Sequence, residues 1–198
     1  MSADVERSLA AAIDDGAVVA LARSASPRAR AQAFDAIYAA FRKPVYALCV
    51  NLTRNAAQAE DALQDCFLGI YRGLPNFRGE ARLSTWIFRI ALRSAMHVRA
   101  KQPRASVPFE LAEHAASGAP SPESVVDARR RSEQLRAALE HLTAEQRAVL
   151  SLFAVDGLSH QEIADVLGVP VGTVWSRLST ARKKLAASLA EQRGEHDE

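Results

Sequence analysis

Apolar residues recur every three to four positions along most of the chain, and this spacing predicts α-helices rather than strands. The most regular stripe lies over about residues 56–72 and carries Leu63, Cys66, Phe67 and Ile70 on one face. Further stripes lie over about 4–22, 28–42, 85–101 and 126–141. The pattern therefore predicts an all-α protein.

Proline, glycine and short polar residues predict where these helices begin and end. Pro44 is expected to open a helix separate from the one over about 28–42, because proline has no N–H for the preceding turn. Asn55 and Ser84 are predicted N-caps, because their side chains can accept a backbone N–H at a helix start. Gly73 and Pro75 are predicted to end the helix over about 56–72.

Residues 102–126 hold four prolines and many Ala and Ser, a composition typical of a flexible linker. The prediction is two helical domains, at 1–101 and 127–198, joined by that segment.

The stretch 159–184 predicts two helices joined by a tight turn. Ser159 and Glu162 have the spacing of a capping box, and Thr143 and Gln146 repeat it one helix earlier. Gly168 stands where the first helix of the pair should end, and Pro170 can open the next. This layout is typical of a helix-turn-helix that places its second helix in the DNA major groove.

The second helix of this pair is basic on one side. Between Gly172 and Lys184 there are four basic residues and no acidic one. Cations here can neutralise phosphates, and short polar side chains can reach base edges. The alternative interpretation is a surface helix with a solvated basic face.

A second basic cluster lies between Arg78 and Arg104, with seven Lys or Arg against one acidic residue, although the net charge of the chain is only +2. Aromatic residues stand within it, and rings can stack on unpaired bases while cations follow the backbone. The alternative is that Phe77, Trp86 and Phe88 are core residues, which we favour for Trp86. Two separate basic surfaces suggest two nucleic-acid contacts.

Acidic residues cluster on the helix over about 56–72. Glu60, Asp61, Gln64 and Asp65 face outward with Leu68 beside them, which suggests either a docking surface for a basic partner or a plain solvated face.

Other classes of protein find little support in the sequence. We predict no catalytic residues, no metal ligands and no cofactor, and therefore not an enzyme.

Cys49 and Cys66 lack metal-ligand spacing and are expected to be buried free thiols, with a redox pair as the unsupported alternative. No apolar run is long enough for a membrane span, and the N-terminus does not read as a secretory signal, so we expect a cytoplasmic protein without membrane insertion.

Three stretches together resemble a bacterial sigma factor of the sigma-70 family, extracytoplasmic-function (ECF) group. They are AEDALQDCFLGIYR, FRGEARLSTWIFRIA and LTAEQRAVLSLFAVDGLSHQEIADVLGVPVGTVWSRLSTARKKL. The resemblance implies an all-α fold of two small helical domains, a region 2 bundle over 1–101 and a region 4 helix-turn-helix over 127–198, joined by a flexible linker over 102–126.

This resemblance implies a subunit that binds core RNA polymerase and directs promoter recognition and DNA melting, with no covalent chemistry of its own. The partners implied are the β′ clamp helices and the β flap of polymerase, promoter DNA, and an anti-sigma factor. It assigns the clamp-helix surface to Asp61, Gln64, Asp65 and Leu68. The competing hypothesis is a free-standing helix-turn-helix regulator, which would not need that surface.

The resemblance also implies two sets of DNA contacts. The set for the minus-10 element is Asn76, Phe77, Arg78, Arg82, Arg89, Arg93, His97 and Arg99. The set for the minus-35 element is Thr173, Trp175, Ser176, Arg177, Ser179, Thr180, Arg182 and Lys183.

At four of these positions the chain departs from the family pattern. Trp175 stands where Lys or Arg is frequent, and Thr180 where Arg is frequent. Arg93 and His97 stand where Asn and Asp are frequent. The promoter preference of this chain is therefore its own.

Overall fold

A computed structural model of the chain describes residues 14–24, 26–101, 134–135, 137–156 and 158–194. All regular structure in these ranges is helical, which confirms the predicted fold class. Predictions about residues 4–13, the linker over 102–126 and most of the helix over 126–141 lie outside them. None of the described helices is both long and apolar enough to cross a membrane.

In the described part of the N-terminal half, four α-helices form a bundle. They are α1 (Asp15–Ala22), α2 (Pro27–Thr53), α3 (Ala56–Gly73) and α4 (Leu83–Lys101), with a 3-10 turn at Leu74–Asn76. The helices α2, α3 and α4 each pack against the other two, and α1 lies on α2. Their buried apolar stripes form the core, whose largest fully buried side chains in this half are Phe41, Phe88, Ile37, Leu48, Leu52, Ile70, Leu83, Ile87 and Val45.

The prediction that Pro44 separates two helices is wrong, because α2 runs through it without interruption. An interior proline costs about 3 kcal/mol through its missing hydrogen bond and its ring clash. However, Phe41, Val45 and Leu48 keep one helical spacing across that position, and all three are buried. Their burial, at roughly 1.5–3 kcal/mol for each side chain, outweighs the local cost.

The prediction that Ser84 caps the next helix is also wrong. α4 begins one residue earlier, at Leu83, and the Leu83 N–H donates to the Asp15 carboxylate at 2.9 Å. An acidic side chain on α1 therefore caps α4 across the bundle, where it also suits the positive end of the helix dipole.

Other predicted caps are confirmed. Asn55 accepts the Gln58 N–H at 3.0 Å and starts α3. Thr143 and Gln146 exchange side-chain to backbone hydrogen bonds of 3.3 and 3.1 Å, as in a capping box.

The C-terminal half contains α5 (Ala144–Asp156), α6 (His160–Leu167) and α7 (Val171–Gly194), and residues 134–135 and 137–140 before them are helical. In the capping box at the start of α6, the Ser159 N–H donates to the Glu162 carboxylate at 2.9 Å, and the Glu162 N–H donates to the Ser159 hydroxyl at 3.2 Å. Gly168 then ends α6 with φ +66°, a backbone conformation that favours glycine. The capping box therefore sets the start of α6, and Gly168 sets its end at the turn to α7.

The two halves pack directly on each other. α5 lies against α2 and α6 lies against α4, and one apolar core is continuous from the N-terminal bundle into α5, α6 and α7. Polar contacts edge this interface. Asn51 donates to the Ser151 hydroxyl at 3.0 Å, and Arg54 pairs with Glu140.

Both cysteines are buried free thiols, as predicted. Burial, with a smaller effect from Glu60, raises the pKa of Cys49 to about 12, and burial likewise raises the pKa of Cys66. Because the thiolate is the reactive form, neither side chain is poised for redox chemistry.

Candidate nucleic-acid and partner interfaces

The acidic side of α3 faces solvent. Glu60, Asp61, Gln64 and Asp65 are all exposed, and Leu68 among them is 49% exposed. This arrangement agrees with the predicted outward face. An exposed leucine within a patch of carboxylates combines an apolar contact with negative charge.

An open groove of about 540 Å³ adjoins this acidic face, between α2 and α3. Four of its nine lining residues are aromatic, with ring centroids 5.4 Å apart for Phe34 and Tyr71 and 4.8 Å apart for Tyr38 and Phe67. Tyr71 is 60% and Tyr38 41% exposed. The residues that line the groove are Phe34, Tyr38, Arg42, Glu60, Leu63, Gln64, Phe67, Leu68 and Tyr71.

Sequence reasoning missed the aromatic part of this groove. Phe34 and Tyr38 share the apolar side of α2 with Ile37 and Phe41, so periodicity alone places all four in the core. Only Ile37 and Phe41 are fully buried. The tyrosine at position 38 was the available signal. A buried tyrosine hydroxyl needs a hydrogen-bond partner, so a tyrosine on an apolar stripe favours a position at the edge of the core.

The loop before α4 exposes its polar residues and buries its ring. Asn76 and Arg78 are exposed, whereas Phe77 is only 6% exposed and packs on Trp86 with ring centroids 4.8 Å apart. Because Trp86 covers one face of the Phe77 ring, Phe77 is a core residue in this structure. Phe88 is also buried, and Trp86 is partly buried.

Two of the cations predicted to contact minus-10 DNA are held by the other half of the molecule. The Arg82 guanidinium pairs with the Glu162 carboxylate on α6 at 2.6 Å, and the Arg89 guanidinium donates to the backbone carbonyl of Asp165 at 2.6 Å. Arg93 and His97, further along α4, are exposed, and Arg99 is partly exposed. On the basic side of α4, the end near Arg82 and Arg89 is therefore bonded to α6, whereas Arg93 and His97 are exposed further along.

Glu162 connects the start of α6 to α4. Burial acts to raise the pKa of its carboxyl, but hydrogen bonds from the Ser159 hydroxyl and N–H, and then Arg82, lower that pKa overall. The carboxylate thus stays ionised while it serves both the cap and the ion pair with Arg82.

The α7 helix presents a polar and basic surface that matches the predicted minus-35 set. Trp175, Ser176, Ser179, Thr180, Arg182 and Lys183 are exposed, and Thr173 and Arg177 are partly exposed. The Ser176 hydroxyl donates to the Thr173 carbonyl at 3.0 Å, and the Thr180 hydroxyl donates to the Ser176 carbonyl at 2.9 Å. These two hydroxyl protons are engaged within the helix, so each oxygen presents its lone pairs outward as an acceptor.

Trp175 does not stand alone on this surface. The rings of His160 and Trp175 are parallel within 6°, with centroids 3.9 Å apart. His160 lies 5.5 Å from the Phe153 ring, and the Arg182 guanidinium lies 4.7 Å above Phe153. Sequence reasoning did not identify His160, because a histidine at a helix start carries no signal for a ring fifteen positions later.

Metal binding finds no support in the described ranges, because no three His, Cys, Asp or Glu side chains in them are placed to hold one ion.

Two family models match the chain, one for each half. The model described as Sigma-70 region 2 matches residues 37–104, and the model described as Sigma-70, region 4 matches residues 132–185.

Curated sigma factors match over most of the chain. RNA polymerase sigma-H factor of Pseudomonas aeruginosa is 33% identical over 167 residues, which cover 80% of this chain and 86% of that protein. ECF RNA polymerase sigma factor SigM of Mycobacterium tuberculosis is 32% identical over 79% of this chain and 77% of its own length. ECF RNA polymerase sigma-E factor of Escherichia coli K12 is 35% identical over 63% of this chain and 70% of that relative.

Two solved structures share the fold. CnrH in complex with the cytosolic domain of CnrY aligns with a TM-score of 0.64 and 25% identity, over 89% of this chain and 97% of that chain. The sigma factor RpoE of Bartonella quintana, solved with the anti-sigma factor NepR, aligns with a TM-score of 0.60 and 26% identity, over 79% and 96% of the two chains. With both regions matched in order, the chain belongs to the sigma-70 family of RNA polymerase sigma factors, in its extracytoplasmic-function group.

Proposed function

We propose that this sigma factor binds core RNA polymerase through the groove and acidic face of α2 and α3, and contacts promoter DNA through α4 and α7. The observation that carries the proposal is the separation of charge. The exposed carboxylates Asp61 and Asp65 lie beside an apolar groove on one side of the N-terminal bundle, and cations cover α7 without any acidic residue between 172 and 184.

The groove suits a helical partner that carries both apolar and basic side chains. Leu68 and Tyr71 offer apolar contact area, and Asp61 and Asp65 can pair with cations at its edge. Complementary charge steers association and fixes register, while buried apolar contacts supply most of the affinity. The β′ clamp helices of polymerase are the partner we assign to this surface, and the β flap is assigned to the C-terminal half.

On the DNA side, α4 and the loop before it are assigned to the minus-10 element. Extruding a base from the duplex costs a few kcal/mol, which contacts to the melted strand must offset. Asn76, Arg78, Arg93 and His97 are accessible for such contacts, whereas Arg82 and Arg89 first have to leave α6. The cationic side of α7 is assigned to the minus-35 duplex.

Regulation by an anti-sigma factor is part of the proposal. The solved structures that share this fold were determined with an anti-sigma factor or with the cytosolic domain of a second protein. A protein that covered the groove between α2 and α3 would exclude polymerase directly. Because its assigned partners are polymerase and promoter DNA, we expect this chain to act in the cytoplasm and to catalyse no reaction of its own.

The proposal is tested by reversing charge at the groove. The double variant Asp61→Arg and Asp65→Arg should lose binding to core polymerase and promoter-dependent transcription, because it places cations where the partner's basic side chains would lie. The matched control is Asp35→Arg, a charge reversal at an exposed position of the N-terminal bundle that does not line the groove. Unchanged polymerase binding by the double variant would contradict the assignment of this surface.

A further inference from the structure

The stacked pair of His160 and Trp175 places a flat apolar ring on the helix assigned to the minus-35 element. Trp175 is 58% exposed although one of its faces lies against His160 at 3.9 Å. Trp175 lies in the first turns of α7, where Ser176 and Ser179 are exposed as well. The stack covers one face of this tryptophan and leaves the rest of its ring open to a partner.

The aromatic contacts of His160 extend from Trp175 to α5. His160 also contacts Phe153 of α5, and Arg182 of α7 lies over that ring. The Nε2 atom of His160 is buried and has no hydrogen-bond partner, so the histidine contributes no polar contact through that atom. What His160 supplies at this position is the flat face that orients Trp175.

The chemistry of the major groove restricts what such a ring can recognise. Bases in a duplex are stacked, so their faces are not available to an indole. Their edges in this groove are hydrogen-bond donors and acceptors, with one apolar group among them, the C5-methyl of thymine. The indole keeps one N–H donor at its edge, but its broad faces are apolar, and the thymine methyl is the group in this groove that such a face can match.

We infer that Trp175, positioned by His160, reads the C5-methyl group of a thymine in the minus-35 element. This inference rests on the proposed placement of α7 in the major groove, and it adds the base that one position selects. Its physical basis is the removal of one methyl group and part of an indole from water when the two surfaces meet.

The test removes that methyl group alone. A promoter obtained by selection with the full-length protein and core polymerase is prepared with single deoxyuridine-for-thymidine substitutions through its minus-35 element, and holoenzyme binding is measured on each duplex. The wild-type protein should lose about fourfold in affinity at one thymine, the effect expected for one buried carbon. Trp175→Ala should bind all these duplexes equally, because the reader of the methyl group is gone.

Variants at position 160 test the support separately. His160→Phe keeps a flat ring beneath Trp175 and should keep the thymine-to-deoxyuridine ratio, whereas His160→Ala should lower the ratio. His141→Ala is the matched control, because His141 is exposed on the turn before α5, away from the stack. Thermal unfolding of each variant establishes that the fold is intact.

A spectroscopic measurement gives a second readout. The chain has two tryptophans, so Trp86→Phe prepared with 5-fluorotryptophan and joined to unlabelled core polymerase leaves Trp175 as the only fluorinated indole in the holoenzyme. Its ¹⁹F resonance should shift more on binding the thymine duplex than on binding the deoxyuridine duplex.

The inference would be overturned if deoxyuridine weakened wild-type binding at no position. It would also be overturned if Trp175→Ala kept the wild-type ratio of affinities for the thymine and deoxyuridine duplexes. An unchanged ratio in His160→Ala would overturn the role of the histidine. A different result separates this inference from the function on which it rests. If the selection with wild-type protein and core polymerase gave no promoter at all, the proposed function itself would fail.

Discussion

At the scale of single residues, the decisive side chains act across the fold rather than along the chain. Asp15 caps α4 from α1, Glu162 serves its own helix start and Arg82 together, and His160 orients Trp175. Each contact joins residues that are well separated in sequence. Local rules therefore find the residue types but not these partners.

Replacing Asp15 should destabilise the N-terminal bundle. Asp15→Ala removes the acceptor for the Leu83 N–H and should lower the free energy of unfolding by about 1 kcal/mol, the usual effect of losing a cap. Asp15→Asn retains an acceptor oxygen and should lose less. Urea unfolding of the three proteins measures the difference, and equal stability of Asp15→Ala and wild type would show that the contact contributes nothing.

The buried thiols should make the fold sensitive to alkali. The pKa of Cys49 is raised from 9.0 to about 12 by burial, so the unfolded chain loses its thiol proton first as pH rises. The stability due to this group is complete below pH 9 and is lost between about pH 9 and 12. At pH 10 we expect a loss of about 1 kcal/mol per buried thiol.

Urea unfolding at pH 8 and pH 10 checks this expectation. The variant with Cys49→Ala and Cys66→Ala should be less stable than wild type at pH 8, because it leaves cavities, but should lose less stability between the two pH values. An equal loss in both proteins would assign the alkaline sensitivity to other groups.

At the scale of elements, the same hydrophobic spacing that predicts the helices also decides their continuity. α2 continues through Pro44 because its buried stripe continues, whereas α6 begins at the capping box of Ser159 and ends at Gly168. Propensity describes a local cost, and packing determines whether the helix tolerates it. Phe77, a loop residue that the sequence offers as a candidate for stacking on bases, is likewise buried in the core because apolar packing is available to it there.

The cations of α7 should bind DNA without reading its sequence. Lys183→Ala should weaken binding on all promoters and reduce the slope of log affinity against log salt by about 0.9, because one phosphate contact is lost. Ser176→Ala should instead change the preference between promoters at constant slope. Binding titrations at several salt concentrations separate the two effects, and a base-specific loss in Lys183→Ala would contradict its role.

At the scale of the whole molecule, the two halves pack together around one apolar core. The exposed ion pairs at the interface, Arg82 with Glu162 and Arg54 with Glu140, contribute roughly 0–1 kcal/mol each. The contact of α2 with α5 and of α4 with α6 therefore depends mainly on apolar packing. Because α6 itself packs on α4 beside Arg82 and Arg89, we expect the halves to separate when DNA binds α4.

Locking the halves together should suppress promoter use. Arg54→Cys with Glu140→Cys places two thiols at exposed positions that pair across the interface, and a short bismaleimide can join them. The native cysteines are buried and should not compete. The cross-linked protein should lose promoter-dependent transcription, whereas each single-cysteine variant capped with N-ethylmaleimide should retain it. Full activity of the cross-linked protein would show that no separation is required.

The sequence alone determined the helical fold, most helix boundaries, the acidic face of α3, the cationic face of α7 and the family resemblance. These features depend on spacing and on residues within one turn of each other, which local chemistry specifies. The tertiary structure decided the continuity of α2, the cap of α4, the aromatic groove, the burial of Phe77 and the packing of the two halves. Each of these depends on which apolar faces meet in space. The hydrophobic pattern of one helix does not specify which other helix will pack against it.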